Sequence, residues 1–110
     1  MSINRNKIHL ERIAEAIDRI KSYVAGYSFR EFVKDEKTID SVLMQFVNIG
    51  ELVGNLSEDF REKHPRLLWH RPVGLRNEIA HGYFNIKPAI IWQTIKEDLP
   101  ELKKQITDLI

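Results

Sequence analysis

Arg76-Asn77-Glu78-Ile79-Ala80-His81-Gly82-Tyr83 gathers a fixed cation, an amide, a proton carrier and a phenol into one short stretch. Leu75 and Ile79, four apart, give it an apolar side, and Pro72 suits the first turn of a helix that would carry both. Gly82 can adopt a positive φ and end that helix just after His81. On a straight helix the step from Arg76 to His81 turns through roughly 500°, leaving the two side chains about 140° apart. Asn77 and His81 share a face, so Asn77 is placed to orient the imidazole or to hold a phosphate oxygen beside it.

The rest of the chain has helical periodicity and no strand pattern. Leu10, Ile13, Ile17, Ile20 and Val24 recur at three- and four-residue intervals, which predicts a first amphipathic helix ending near Gly26. Ser28-Phe29-Arg30-Glu31 has the form of a capping box and predicts a short helix that is over by Lys37. Ile39, Val42, Leu43, Phe46, Val47, Ile49, Val53 and Leu56 give the widest apolar face, as expected of a central helix closed by Gly54 and Asn55. Gly50 in its middle costs about 1 kcal/mol relative to Ala, which points to a second helix approaching closely there. Glu51 beside it could reach the same cleft, although a solvated helix carboxylate is the expected role.

Residues 57–74 hold Ser57, Pro65, Pro72 and Gly74 and read as a connecting loop with at most a short helical turn. Pro88 starts a last helix with the stripe Ile91, Ile95, Leu99, Leu102, Ile106 and Leu109, kinked at Pro100. The expected fold is all-α: one domain over 1–110, a small antiparallel bundle of four main helices plus a short one. Phe29, Phe32, Phe46, Trp69 and Trp92 fall on or beside apolar stripes and are assigned to core or interface.

Composition narrows the classes of function. A chain of 110 residues with 43% hydrophobic side chains builds one modest core. The net charge of +1 supplies no global field for a polyanion, so any RNA binding must come from local charge or a dimer groove. The absence of cysteine removes disulfides, thiolate metal sites and cysteine nucleophiles. His64 and His70, six apart, are not a helical metal pair, and His9 among polar neighbours is expected to be solvated. No metal or other cofactor is expected. With no apolar run near the roughly 20 residues that span a bilayer, the chain reads as soluble, cytoplasmic and without a membrane partner.

The spacing Arg76-x4-His81-x-Tyr83, with Asn77 after the Arg, Gly74-Leu75 before it, Ile49-Gly50-Glu51 in an earlier helix, and a final segment with Trp92 and Asp98-Leu99-Pro100, resembles the HEPN superfamily of small helical ribonucleases. The likeness is greatest to its HepT-like toxins and runs from about the first helix to the last. The resemblance implies a homodimeric endoribonuclease toxin, with Arg76 and His81 catalytic and Asn77 supporting. It also implies a cognate minimal nucleotidyltransferase antitoxin that silences the toxin by transferring AMP to Tyr83. A nucleotide attached two residues from His81 would put bulk and negative charge where substrate phosphate must sit.

The residues suit that chemistry. RNA can be cut without a metal because its own 2′-OH attacks phosphorus, leaving the protein to accept a proton, donate one and stabilise the phosphorane. His81 can carry the proton and Arg76 can bind the equatorial oxygens. One motif supplies one His, and a two-fold dimer would bring two copies to one cleft. Arg61, Lys63, Arg66 and Arg71 make the segment before the motif the most basic of the chain, a surface that could track RNA phosphates or simply be solvated. The competing reading of the motif is a His that caps helix carbonyls beside a surface Arg. In that case the protein is a non-catalytic helical dimer module that binds a nucleotidyltransferase or a nucleotide.

Overall fold

The long first stripe folds as expected into α1 (Ser2–Tyr23), stopped by Gly26, whose φ of 78° lies in the left-handed region. The computed structural model describes residues 2–67, 70–82 and 86–110. Tyr83 and Trp69 lie outside the described residues. The capping box at Ser28 and Glu31 is formed in both directions and starts α2 (Phe29–Lys34). The central α3 (Glu36–Gly54) follows at once, capped at its end by Asn55.

Segment 57–74 contains more helix than a connecting loop. Ser57 accepts the Phe60 N–H and starts α4 (Glu58–Lys63), so the bundle carries a second short helix. Glu58 and Asp59 in its first turn and Arg61 and Lys63 in its last complement the helix dipole. Asn6 fixes the cap from outside: its amide donates to Ser57 Oγ at 3.1 Å and accepts the Ser57 N–H at 3.2 Å. The motif helix, α5 (His70–Gly82), begins two residues ahead of Pro72.

The last stripe forms α6 (Pro88–Gln93), a π-helical turn (Thr94–Asp98) and α7 (Leu99–Leu109) without a break. Pro100 has no N–H to return to the preceding turn, and the departure from α geometry falls in the residues just before it, where the Leu99 N–H reaches back to the Thr94 carbonyl. Buried Thr94 satisfies its hydroxyl by donating to the Ile90 carbonyl at 2.9 Å.

Contacts between the helices show the antiparallel order. Asn6 at the start of α1 meets Ser57 just past the end of α3, Gly50 of α3 meets Arg76 of α5, and Asp18 of α1 pairs with Lys103 of α7. Leu10, Ile13, Ile17 and Ile20 of α1 close on Val42, Phe46, Ile49 and Val53 of α3 and on Leu99, Leu102 and Ile106 of α7, all buried. Phe32 and Phe46 are fully buried, and Trp92 packs against Phe29 and Phe32 with ring centroids 6.1 and 5.1 Å away. Those aromatics belong to packing, as expected. His9 departs in part from its expected solvation: the residue is half-buried, and its Nδ1 is buried with no hydrogen-bond partner among the described residues. No helix among the described residues is long and apolar enough to cross a membrane.

Asp35 joins α2 to α3 as the last cap of one and the first of the other. It accepts from the Tyr27 hydroxyl at 2.6 Å, the Thr38 hydroxyl at 2.7 Å and the Thr38 N–H at 3.0 Å. These donors, the Tyr27 phenol foremost, hold its carboxyl well below the usual carboxylate value of 3.8, at about 2. A depressed carboxyl stabilises the fold above its ordinary value and loses that contribution as the pH falls. The stability gap between wild type and Asp35→Asn, read from urea midpoints, is therefore expected to shrink as the pH falls from 3.8 towards about 2.

Candidate active site

Arg76 owes its position to a missing side chain on the facing helix. A Cβ at Gly50 would lie 2.6 Å from both Cβ and Cγ of Arg76, so α3 and α5 meet at their present distance only because residue 50 is Gly. Leu75 and Pro72 are buried and Val73 and Ile79 partly buried, and this apolar side of α5 holds the helix against the bundle. Arg76 then leaves along the groove between α3 and α5.

The next residue on α3 takes hold of the guanidinium. Glu51 Oε1 accepts from Arg76 Nε at 2.9 Å and from Nη2 at 2.5 Å. Glu51 is exposed, as expected of a helix carboxylate, but it is also paired, because the close approach at Gly50 brings a cation from a helix 25 residues away in sequence. With side chains 56% and 39% exposed, the Glu51–Arg76 pair is solvent-screened and contributes roughly 0–1 kcal/mol to stability. Its consequence is orientation.

Asn77 also turns to Arg76, accepting from Nη1 at 3.3 Å, so its amide oxygen serves the guanidinium rather than the imidazole of His81. His81 is exposed in the last turn of α5. Gly50, Glu51, Gly54, Asn55, Val73, Arg76 and Asn77 line an open cleft of about 310 Å³, and His81 is not among them. His81 shares a helix face with Asn77, which does line the cleft, so the rise of about 6 Å along α5 between them accounts for its place outside. Asn55, read from sequence only as a helix cap, puts an additional amide in the cleft.

The four basic residues before the motif do not line the cleft either. Arg61 and Lys63 are exposed on α4, and Arg66 is exposed in the turn after it, with its carbonyl accepting from Gln105 Nε2 at 3.1 Å. Arg71, in the first turn of α5, is paired with Asp98 of the π-helical turn at 3.5 Å. His64 closes α4 with its ring 4.6 Å from that of Phe60, and His70 starts α5. Among the described residues no three His, Cys, Asp or Glu side chains gather in a metal-binding group.

The family model described as ribonuclease HepT-like matches residues 13–109 of this all-α chain. The chain belongs to the HepT-like ribonuclease family. It is 36% identical over 104 residues to the "Probable ribonuclease HepT" of Thermococcus cleftensis, an alignment covering 94% of each chain. Relatives from Caldanaerobacter subterraneus subsp. tengcongensis and Methanocaldococcus jannaschii, both named provisionally as RNases, are 37% and 33% identical. Those alignments cover 93% and 96% of this chain and 91% and 97% of the relatives. Among solved structures no significant match is found.

For this HepT-like chain the Gly50 contact can be tested directly. Gly50→Ala gains about 1 kcal/mol of helix propensity but forces a Cβ against Arg76 Cβ, which the backbone fixes, and Cγ, an overpacking that costs about 1–3 kcal/mol. Overpacking is expected to win. The urea midpoint should fall, and α5 should move off α3 far enough to open the Glu51–Arg76 pair, visible as changed Arg76 side-chain resonances.

Proposed function

We propose that this HepT-like ribonuclease is a metal-independent endoribonuclease toxin whose Arg76 and His81 act together at a homodimer cleft. The observation that carries the reading is Arg76 itself: a guanidinium set in an open cleft whose one carboxylate is already engaged with it. The cleft therefore offers cation and amide donors suited to a phosphate, and among the described residues no carboxylate set of the kind that holds a divalent ion. In the proposed reaction the 2′-OH gives up its proton and attacks phosphorus. The 5′-oxygen leaves and takes a proton, and the product strand ends in a cyclic phosphate. Arg76 stabilises the oxygens of the phosphorane and His81 carries a proton.

A dimer supplies what one chain keeps apart. His81 lies outside the Arg76 cleft of its own chain, and a two-fold axis beside α5 would bring Arg76 of one copy towards His81 of the other. Exposed Phe29 and Val33 on α2 and Ile90 on α6 are apolar surface available for burial in an assembly. Arg61, Lys63, Arg66 and Arg71, placed away from the cleft, would contact RNA beyond the cut.

Regulation is proposed to come from a cognate minimal nucleotidyltransferase acting as antitoxin in the cytoplasm. The Tyr83 hydroxyl would attack the α-phosphorus of ATP and release pyrophosphate, leaving AMP attached two residues from His81. Modification and cleavage would then exclude each other.

The protein is expected to cut RNA in the presence of EDTA, leave the corresponding DNA intact and yield cyclic-phosphate ends, because the nucleophile is the 2′-OH. His81→Ala should lose about 10² to 10⁴ in rate while keeping its helicity. Restored cutting only on adding a divalent ion would overturn the mechanism, and mixed dimers with one intact motif retaining full activity per wild-type chain would overturn the shared cleft. Incubation with the nucleotidyltransferase and ATP should add AMP mass to Tyr83 and silence cleavage, whereas Tyr83→Phe should cut RNA and escape modification. Equal modification of that variant would assign the acceptor elsewhere.

A further inference from the structure

Arg76 has five N–H donors, and among the described residues three of them are engaged by side chains. Glu51 takes Nε–H and one N–H of Nη2 with a single oxygen, which is the side edge of the guanidinium. Asn77 takes one N–H of Nη1. What remains is one N–H on each terminal nitrogen. These remaining donors can bind phosphate oxygens, the interaction for which the charged N–H groups of Arg suit it. Glu51 therefore need not be displaced for a phosphate to bind.

Two successive residues of α3 thus govern one side chain of α5. Gly50 leaves room for the Arg76 stem to lie against the helix backbone, and Glu51 holds the head. Left free, an exposed Arg samples many rotamers, and much of its value in a transition state would be lost to ordering it. The pair is too exposed to matter greatly for folding, so its effect falls on the aim of the guanidinium.

We infer that Glu51 is a positioning residue for RNA cleavage: it clamps the side edge of Arg76 so that the guanidinium presents its remaining pair of donors to the scissile phosphate. The inference rests on the reading of Arg76 as the group that stabilises the phosphorane. Glu51 touches no reacting atom and acts through Arg76.

The test compares wild type, Glu51→Ala and Glu51→Gln in RNA cleavage, thermal unfolding and NMR of the Arg76 Nε–H, assigned with Arg76→Lys. Glu51→Ala is expected to lower kcat about tenfold or more with KM nearly unchanged, since misplaced catalytic groups cost rate rather than binding. Its melting temperature should match wild type, and its Nε–H should exchange faster with water. Glu51→Gln, which keeps an acceptor oxygen, should recover part of kcat and part of the exchange protection. Equal kcat in active wild type and Glu51→Ala would overturn the clamp, as would a kcat loss that merely follows loss of folded protein, or an Nε–H that is unprotected in wild type. A wild-type protein that cuts no RNA would instead bring down the nuclease reading on which the inference rests, and Nε–H protection that Glu51→Ala removes would show that failure to be separate from the existence of the clamp.

Discussion

The approach of α5 to α3 at Gly50 governs the cleft that holds Arg76. Were residue 50 any L-amino acid with a side chain, its Cβ would occupy space filled by Arg76 Cβ and Cγ, and the helices would stand further apart. Glu51 would then lose its reach to the guanidinium, and the cleft lined by Asn55, Arg76 and Asn77 would change shape. A helix-interior glycine that weakens α3 locally by about 1 kcal/mol is retained in a structure where a neighbouring helix uses the vacated space. That trade links helix propensity to site geometry in one atom.

The remaining bundle keeps α5 in place. Buried Leu75 and Pro72 tie it to the core, and Arg71 reaches Asp98 on the π-helical turn of the last helix. That turn precedes Pro100, whose missing N–H interrupts the α pattern, and π-helical turns of this kind interrupt otherwise regular helices at points of close contact or function. Here the interruption lies where the start of the motif helix meets the C-terminal helix. The motif helix is thus held at two points, Gly50 near its middle and Asp98 at its start, while its last turn with His81 stays exposed.

Much of the fold was legible because it is local. The stripes of α1, α3 and the C-terminal helix, the capping box at Ser28 and the stop at Gly26 need only periodicity and backbone chemistry, and each is found where the residues place it. Helix α4 was legible too in the charge order Glu58-Asp59 then Arg61-Lys63 behind Ser57, but Pro65 and the lack of an apolar stripe drew the reading towards a loop. Pairings across the bundle were not legible. Nothing near Glu51 in sequence reveals that Arg76 will arrive beside it, and nothing near His9 reveals that its Nδ1 will be covered. Gly50 was the signal available: it announced a close approach without naming the side chain that would come.

In the proposed mechanism the positions of Arg76 and His81 set what is needed from a second copy. Five residues of α-helix rise about 7.5 Å and rotate through about 140° net, so one phosphate cannot lie against both side chains by following a single face of α5. Moving the guanidinium of Arg76 along α5 towards His81 would require breaking its two contacts to Glu51, which draw it towards α3. Within one chain Glu51 therefore holds the guanidinium in the cleft between α3 and α5, which His81 does not line. In the proposed dimer a second copy related by a two-fold axis would let each Arg76 stay clamped while it faces the other copy's exposed last turn. In the proposed mechanism, orientation within the chain and completion across the dimer are two consequences of the same geometry.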